Sequence, residues 1–415
     1  MAPSALALLL VLALVALPLG QLFFQPSGDG SSVPPVGAQT QIKTIERETS
    51  ALRGLNPLRP VQVHFLASRA FSARISAVLA KSDPPGQIKI ADMESVLMGL
   101  ITPSTNLGSV VTQGLPSQVA GWYDFHIKQL YIRDTGQALG IDRLYIAHEY
   151  THALQDQNFG LAKVQPDQTH WKLLDSDTYL AEHSLVEGDA VVLQYDYMNR
   201  YYTAAQRAAL FRQEQAGGGA PLPRTIQEEF DFPYTTGPNY VTYLLNRGGY
   251  PAVNAAFRHP PKSTYELMFP GRHIAITKVS LRQVLGRFAH WHRVDDDVDG
   301  AFGYQQLVEL HVTPALAGRL AQLWRGDRYI LLRRGGTYGL LMVSAYQGAQ
   351  ASREAASIIE DALAVRFGGL YAFHGGVWGG RGHIYAAVRR AGRFVHLSFG
   401  DSPSIVRNLV TSPTR

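Results

Sequence analysis

One stretch restricts this chain more than any other: Ile146-Ala147-His148-Glu149-Tyr150-Thr151-His152-Ala153-Leu154-Gln155. It contains H-E-x-x-H. On a helix, residues four apart stack on one face, so His148 and His152 lie one above the other. Ile146, Ala147, Tyr150, Ala153 and Leu154 mark that helix as buried. Two imidazoles and a carboxylate on a buried helix need polar partners from elsewhere in the fold. A stripe satisfied by neighbouring side chains is one solution. A metal ion is the other, because the spacing lets two imidazole nitrogens reach one Zn²⁺ at about 2.0–2.1 Å. Glu149 is then beside the ion and free to accept a proton from its water. With 14 His and 13 Glu in 415 residues, chance yields the pattern in about one or two such chains per hundred, so the context must carry the reading.

A site with two histidines needs a third ligand and an open position. The long periodic segment from Asp177 to Met198 is expected to supply it from a second helix. Glu187 is the expected ligand, with Glu182 and His183 as competitors. Gly188 favours Glu187, since a residue without a side chain lets helices approach closely beside the metal. Asp156, four residues past His152, either orients an imidazole or is a solvated polar residue. Upstream, Gln118 to Tyr123 and Lys128 to Arg133 read as a hairpin around Asp124-Phe125-His126-Ile127. In metallopeptidases such a strand commonly lines the cleft, where an extended substrate pairs with its edge. His126, on the turn, reads as an exposed structural histidine.

H-E-x-x-H followed by a glutamate on a second helix resembles the gluzincin branch of the zincin metallopeptidases. The longer pattern is similar to an uncharacterised group of exported bacterial proteins of metallopeptidase type. It runs through His148 to Gln157, Leu185-Val186-Glu187-Gly188-Asp189-Ala190, Gly248-Gly249-Tyr250-Pro251-Ala252-Val253-Asn254 and Pro260-Pro261-Lys262-Ser263-Thr264. The likeness covers most of the chain from about residue 55. It implies a zincin-like α+β domain with a mostly helical lower part, one catalytic Zn²⁺ and a peptide or protein substrate. His148, His152 and Glu187 become the ligands and Glu149 the catalytic base. After Thr264 the chain departs from the group, where a Glu and then a His often precede a Pro. Here the residues are Tyr265, Glu266 and Phe269-Pro270. Two other functions stay open: a catalytically inactive zincin serving as a cell-envelope binding or scaffold module, and a zinc hydrolase of a non-peptide amide.

The rest of the chain sets the frame. Residues 5–17 are entirely apolar and no charge occurs before Asp29. Residues 1–24 therefore read as a signal peptide or an N-terminal membrane anchor. Residues 25–40, rich in Gly, Ser and Pro, read as a linker. The expected division is a zincin-like domain at 41–275 and a small α+β accessory domain at 276–415. Apolar content of 46% suits a globular chain with a sizeable core. The net charge of +5 comes without a Lys/Arg-rich run, which leaves nucleic-acid binding unsupported. Cysteine is absent, excluding disulfides and thiolate metal sites.

Further along, Val61 to Leu66 reads as a strand, Ser68 to Leu79 and Met93 to Ile101 as helices, and Gly217 to Pro223 as a loop. Tyr240 is a possible oxyanion donor, with core packing the better reading. Asp295-Asp296-Asp297-Val298-Asp299-Gly300 matches the opening of a calcium loop, but Gln306 stands where a bidentate Glu is required. A solvated acidic turn is expected there. Leu310 to Trp324 and Ser352 to Val365 read as helices. Strands are expected at Tyr329 to Arg333, Tyr338 to Ser344, Ile384 to Val388 and Phe394 to Ser398. His374, His383 and the glycines between them read as turn residues.

Overall fold

The computed structural model describes residues 38–82, 86–110, 119–134, 142–164, 174–216, 222–368, 376–379 and 383–412. The apolar run at 1–24, most of the linker, Pro84-Pro85, the loop at 217–221 and His374 lie outside them. Among the described residues no helix is long and apolar enough to cross a membrane.

The described chain is α+β. Helix α1 (Ala38–Arg53) opens it, three residues before the expected start at 41, because Ala38 and Ile45 are buried against the fold. Strand β1 (Gln62–Ala67) leads into α2 (Ser68–Ser82) and α3 (Gln87–Met98). The hairpin of β2 (Gly121–Asp124) and β3 (Gln129–Asp134) follows. The Asp124 carboxylate accepts the N–H groups of His126 and Ile127 across its turn, and His126 is exposed. Sheet order is β1-β3-β2, with β1 parallel and β2 antiparallel to β3. Strand β2 is therefore an edge.

Helices α4 (Asp142–Phe159), α5 (Ser176–Tyr201), α6 (Ala204–Ala216) and α7 (Arg224–Arg258) build the helical body. In α5, 20 of 26 residues are buried, so this helix is central rather than superficial. It starts where Asp175 accepts the N–H of Thr178 at 2.8 Å. Helix α7 breaks at Gly248 and Gly249, the latter at φ 61°. Pro251 then stands in the first turn of the second piece, where its missing N–H costs nothing.

After α8 (Thr264–Met268) and α9 (Arg282–Arg287) come β4 (His292–Asp297), α10 (Gly300–Glu309), α11 (Pro314–Leu323), β5 (Trp324–Arg334), β6 (Thr337–Tyr346), α12 (Ala349–Arg366), β7 (Val377–Gly379), β8 (Tyr385–Ala391), β9 (Phe394–Gly400) and α13 (Pro403–Val410). The strands form an antiparallel sheet in the order β4-β5-β6-β9-β8-β7. Helix α11 is shorter than expected because Thr313 caps it and Pro314 takes its first turn. At its other end Trp324 already belongs to β5.

The acidic run at 295–300 is not a solvated turn. It is strand β4 and its exit, and the two-residue period turns Asp295, Asp297 and Asp299 inward. Gly300 has φ +80°, and a Cβ there would lie 2.0 Å from Asp177 Oδ1. A close approach to α5, not a cation loop, accounts for that glycine.

One apolar cluster unites α4, α5 and α7 with β3. The core of the C-terminal sheet also takes in Leu97 and Met98 of α3 and Tyr265 of α8. Arg366, at the end of α12, donates to the carbonyls of Val96, Leu97 and Met98. Packing thus continues across residue 275.

Candidate metal centre

Helix α4 carries His148, Glu149 and His152 into the interior, and α5 brings Glu187 to meet them. Glu187 Oε2 lies 3.2 Å from His148 Nε2 and 3.5 Å from His152 Nε2. The two rings stand edge to face, with centroids 4.9 Å apart and planes at 81°. All three residues are buried, and their ligand atoms fall within 4.8 Å of one another.

Two glutamines meet the outer nitrogens and orient the rings. His148 Nδ1 is 2.9 Å from Gln194 Oε1, and His152 Nδ1 is 2.9 Å from Gln155 Oε1. The Gln155 amide is oriented by its other end, which donates to Val186 O at 3.0 Å and Asp189 Oδ2 at 2.9 Å. Each Nδ1 therefore faces a glutamine oxygen, which turns each Nε2 toward Glu187. Apart from Glu187 at 3.5 Å, no polar partner among the described residues reaches His152 Nε2.

This donor set fits a tetrahedral first-row ion. Two ligands bonded at about 2.0–2.1 Å in a tetrahedron stand about 3.3 Å apart, a value bracketed by the two distances to Glu187 Oε2. Two imidazoles and a carboxylate suit Zn²⁺ and leave a fourth position open.

The electrostatics agree with the geometry. Burial pushes Glu187 up, yet His152, the contact with His148 and the nearby His183 hold it well below its ordinary value. Burial pushes His152 down, and Glu187 and Glu149 outweigh it, raising the group to about 9. Glu149 is raised, chiefly by burial and against the pull of both histidines. Its Oε2 accepts the N–H of Tyr123 on β2 at 2.9 Å. Gly121, on the same strand, makes room: a Cβ there would lie 2.7 Å from Glu149 Cγ.

A buried network backs the ligands. Arg53 Nε donates to Asp189 at 2.8 Å, its Nη2 donates to Asn254 Oδ1 at 2.9 Å, and its guanidinium lies 4.5 Å over the Tyr250 ring. Both Arg53 and Asp189 have side chains fully removed from solvent. The chain His152–Gln155–Asp189–Arg53–Asn254 joins α4, α5, α1 and the second piece of α7.

The competitors for the third ligand go elsewhere. Glu182 pairs with Lys262 at 2.5 Å. His183 stacks on Tyr179, one helical turn before Glu187, and is outside the three-ligand group. Asp156 does not orient an imidazole: it accepts Tyr123 Oη, Lys128 Nζ and an Arg59 nitrogen. The orienting role belongs to Gln155 and Gln194. Gly188 also serves a different contact. A Cβ there would lie 2.3 Å from the Gly237 backbone of α7, so the close approach is to α7 and not across the metal centre. Tyr240 lines a separate cavity of about 450 Å³ with Tyr243, Glu266 and Arg272.

Sequence reasoning missed Gln194, Arg53, Asn254, Gly121 and Gly237 as parts of the site and its support. Gln194 carried a signal, as the polar residue closing the apolar run Ala190 to Leu193. None of the protein-family models, curated proteins or solved structures compared with the chain matches it.

Proposed function

We propose that this protein is a zinc-dependent peptidase of the zincin type, acting outside the cytoplasm, with residues 1–24 as its export signal or membrane anchor. The observation that carries the reading is the meeting of His148, His152 and Glu187 at tetrahedral spacing, with Glu149 fixed beside them. His148, His152 and Glu187 hold the ion, and Gln194 and Gln155 keep both rings turned to it. Zinc, when bound, supplies a Lewis acid and lowers the pKa of a water in the open position. Glu149 accepts a proton from the attacking water and passes it to the leaving amine. Strand β2, which holds Tyr123 against Glu149, is an edge of its sheet, the kind of element an extended peptide pairs with.

The test combines metal analysis with hydrolysis of an unstructured substrate such as casein. Wild type is expected to carry one zinc per chain and to lose cleavage on chelation. Glu149→Gln is expected to keep zinc and lose about 10²-fold or more in rate; undiminished cleavage by that variant would remove Glu149 from the mechanism.

The depth of the centre favours a second reading. His148, Glu149 and Glu187 are at most 3% exposed, which leaves little path for a substrate to reach them. Under that reading the protein is a zinc-stabilised envelope scaffold. Chelation then lowers the melting temperature while casein stays intact with or without metal.

A further inference from the structure

Helix α7 carries a stripe that the apolar core covers only in part. Tyr240, Tyr243, Leu244 and Arg247 recur at i, i+3, i+4 and i+7, so they share one face of its first piece. On a core helix that spacing marks the packed side. Here the tyrosines and Leu244 are half-buried, Arg247 is exposed, and all four line a cavity of about 450 Å³. Helix α8 adds Tyr265 and Glu266 to the lining. The segment after it, residues 271–276, adds Arg272 and ends on Ile276, which is 42% exposed. Gly271 lets this segment pass over α7: its φ is +84°, and a Cβ there would lie 2.6 Å from Tyr243 Oη. The volume is that of a small-molecule site, and so is the lining, aromatic and aliphatic with few polar groups. It includes none of His148, Glu149, His152 and Glu187.

The charges in this lining do not balance. Arg247 lies over the Tyr243 ring at 5.4 Å, and Arg272 lies over the Phe269 ring at 5.7 Å. An aromatic face holds a guanidinium in place without neutralising it. Among the described residues no carboxylate pairs with either arginine. Elsewhere arginines do find acids, Arg319 with Glu354, Arg224 with Glu228 and Arg328 with Asp296. The one acid in the lining, Glu266, accepts the N–H of Lys262 at 2.9 Å where α8 begins. Two guanidiniums against one carboxylate leave the lining at +1 with His273 neutral.

We propose that this cavity binds a small organic anion, with an aromatic or branched aliphatic body against Tyr240, Tyr243 and Leu244 and one carboxylate or phosphate held by Arg247 and Arg272. A guanidinium presents a planar fork of N–H donors that matches either anion. The apolar body accounts for the half-buried stripe and for Ile276 at the rim, and the anion accounts for the arginines. Helix α7 belongs to the helical body, whereas the segment at 271–276 runs on to the C-terminal sheet, where Thr277 N donates to Arg325 O at 2.6 Å. A ligand here therefore fastens the two to each other. The site is independent of the zinc centre and of the peptidase reading.

The experiment titrates the full chain with phenylacetate and with phenyl phosphate by calorimetry, once zinc-loaded and once stripped with chelator. At least one of the two is expected to bind once per chain with a Kd below about 1 mM, equally in both forms. Acetate, inorganic phosphate and 2-phenylethanol carry only the charge or only the ring, and are expected to bind about tenfold or more weakly. Arg247→Met and Arg272→Met keep an aliphatic stem at exposed positions. Each is expected to weaken binding about tenfold or more without changing zinc content. No binding of either ring-bearing anion up to about 10 mM would overturn the proposal. Binding that requires zinc would overturn it by placing the anion on the metal. Equal binding by both variants would overturn it by placing the ligand elsewhere, and equal binding of 2-phenylethanol or of the ring-free anions would overturn the ligand class. Should the variants fail to fold, the comparison of probes on wild type, with and without zinc, decides.

Discussion

At the scale of single residues, the centre depends on small clearances. Glu149 occupies the volume that a side chain at 121 would take, and the Tyr123 N–H holds its far oxygen. Gly121→Ala would push the carboxylate off this position while leaving the three ligands untouched. Peptide hydrolysis is expected to fall about tenfold or more with zinc content unchanged, as a misplaced catalytic group costs rate without costing metal; full activity in that variant would mean Glu149 acts from another position. The residues meeting at the centre were legible because their spacing is dictated by helix periodicity. Their partners were not. The i+4 rule pointed to Asp156, yet Lys128, Arg59 and Tyr123 occupy that carboxylate. Gln194 reaches His148 from another helix across 46 residues, a pairing that no local pattern encodes.

At the scale of elements, the segments of the H-E-x-x-H helix, the E-G-D helix and the G-G-Y-P stretch prove to be parts of one hydrogen-bonded assembly. Asp189 is its hub, taking Gln155 from α4 and Arg53 from α1. Arg53→Leu would leave Asp189 buried without its cation. That is expected to destabilise the fold by about 3–5 kcal/mol, measured by urea unfolding of the metal-free protein. A shift below about 1 kcal/mol would show that water relieves Asp189. The hairpin and the long helices could be read from period and turn residues. Helix α10 could not, because the aspartates before it look like a loop until strand pairing turns alternate ones inward. The glycines of α7 were visible, but their roles, a helix break at 248–249 and a backbone contact at 237, come only from the neighbour.

At the scale of the whole molecule, the buried carboxyls Glu229, Asp177 and Asp327 make stability depend on pH. Burial raises Glu229 to about 8, and burial outweighs the hydrogen bonds of Asp177 and Asp327 to raise each to about 7. A carboxyl whose folded pKa exceeds its unfolded value gives stability that is complete below the unfolded value. That stability is lost as pH climbs through the folded one. The metal-free protein is therefore expected to lose several kcal/mol between about pH 5 and about pH 8. Denaturant midpoints across that range check it, and a flat profile would contradict the burial of these groups.

The continuity of packing across residue 275 bears on how the protein can be handled. A fragment ending there would expose Leu97, Met98 and Tyr265, which now lie under the C-terminal sheet. It would also strip the end of α3 of the Arg366 guanidinium that covers its last carbonyls. Expressed alone, the histidine-bearing half is expected to be recovered as aggregate, while co-expression with residues 276–415 should restore soluble material. Gene dissection at this point would thus cost the fold around His148, His152 and Glu187 without touching any of the three.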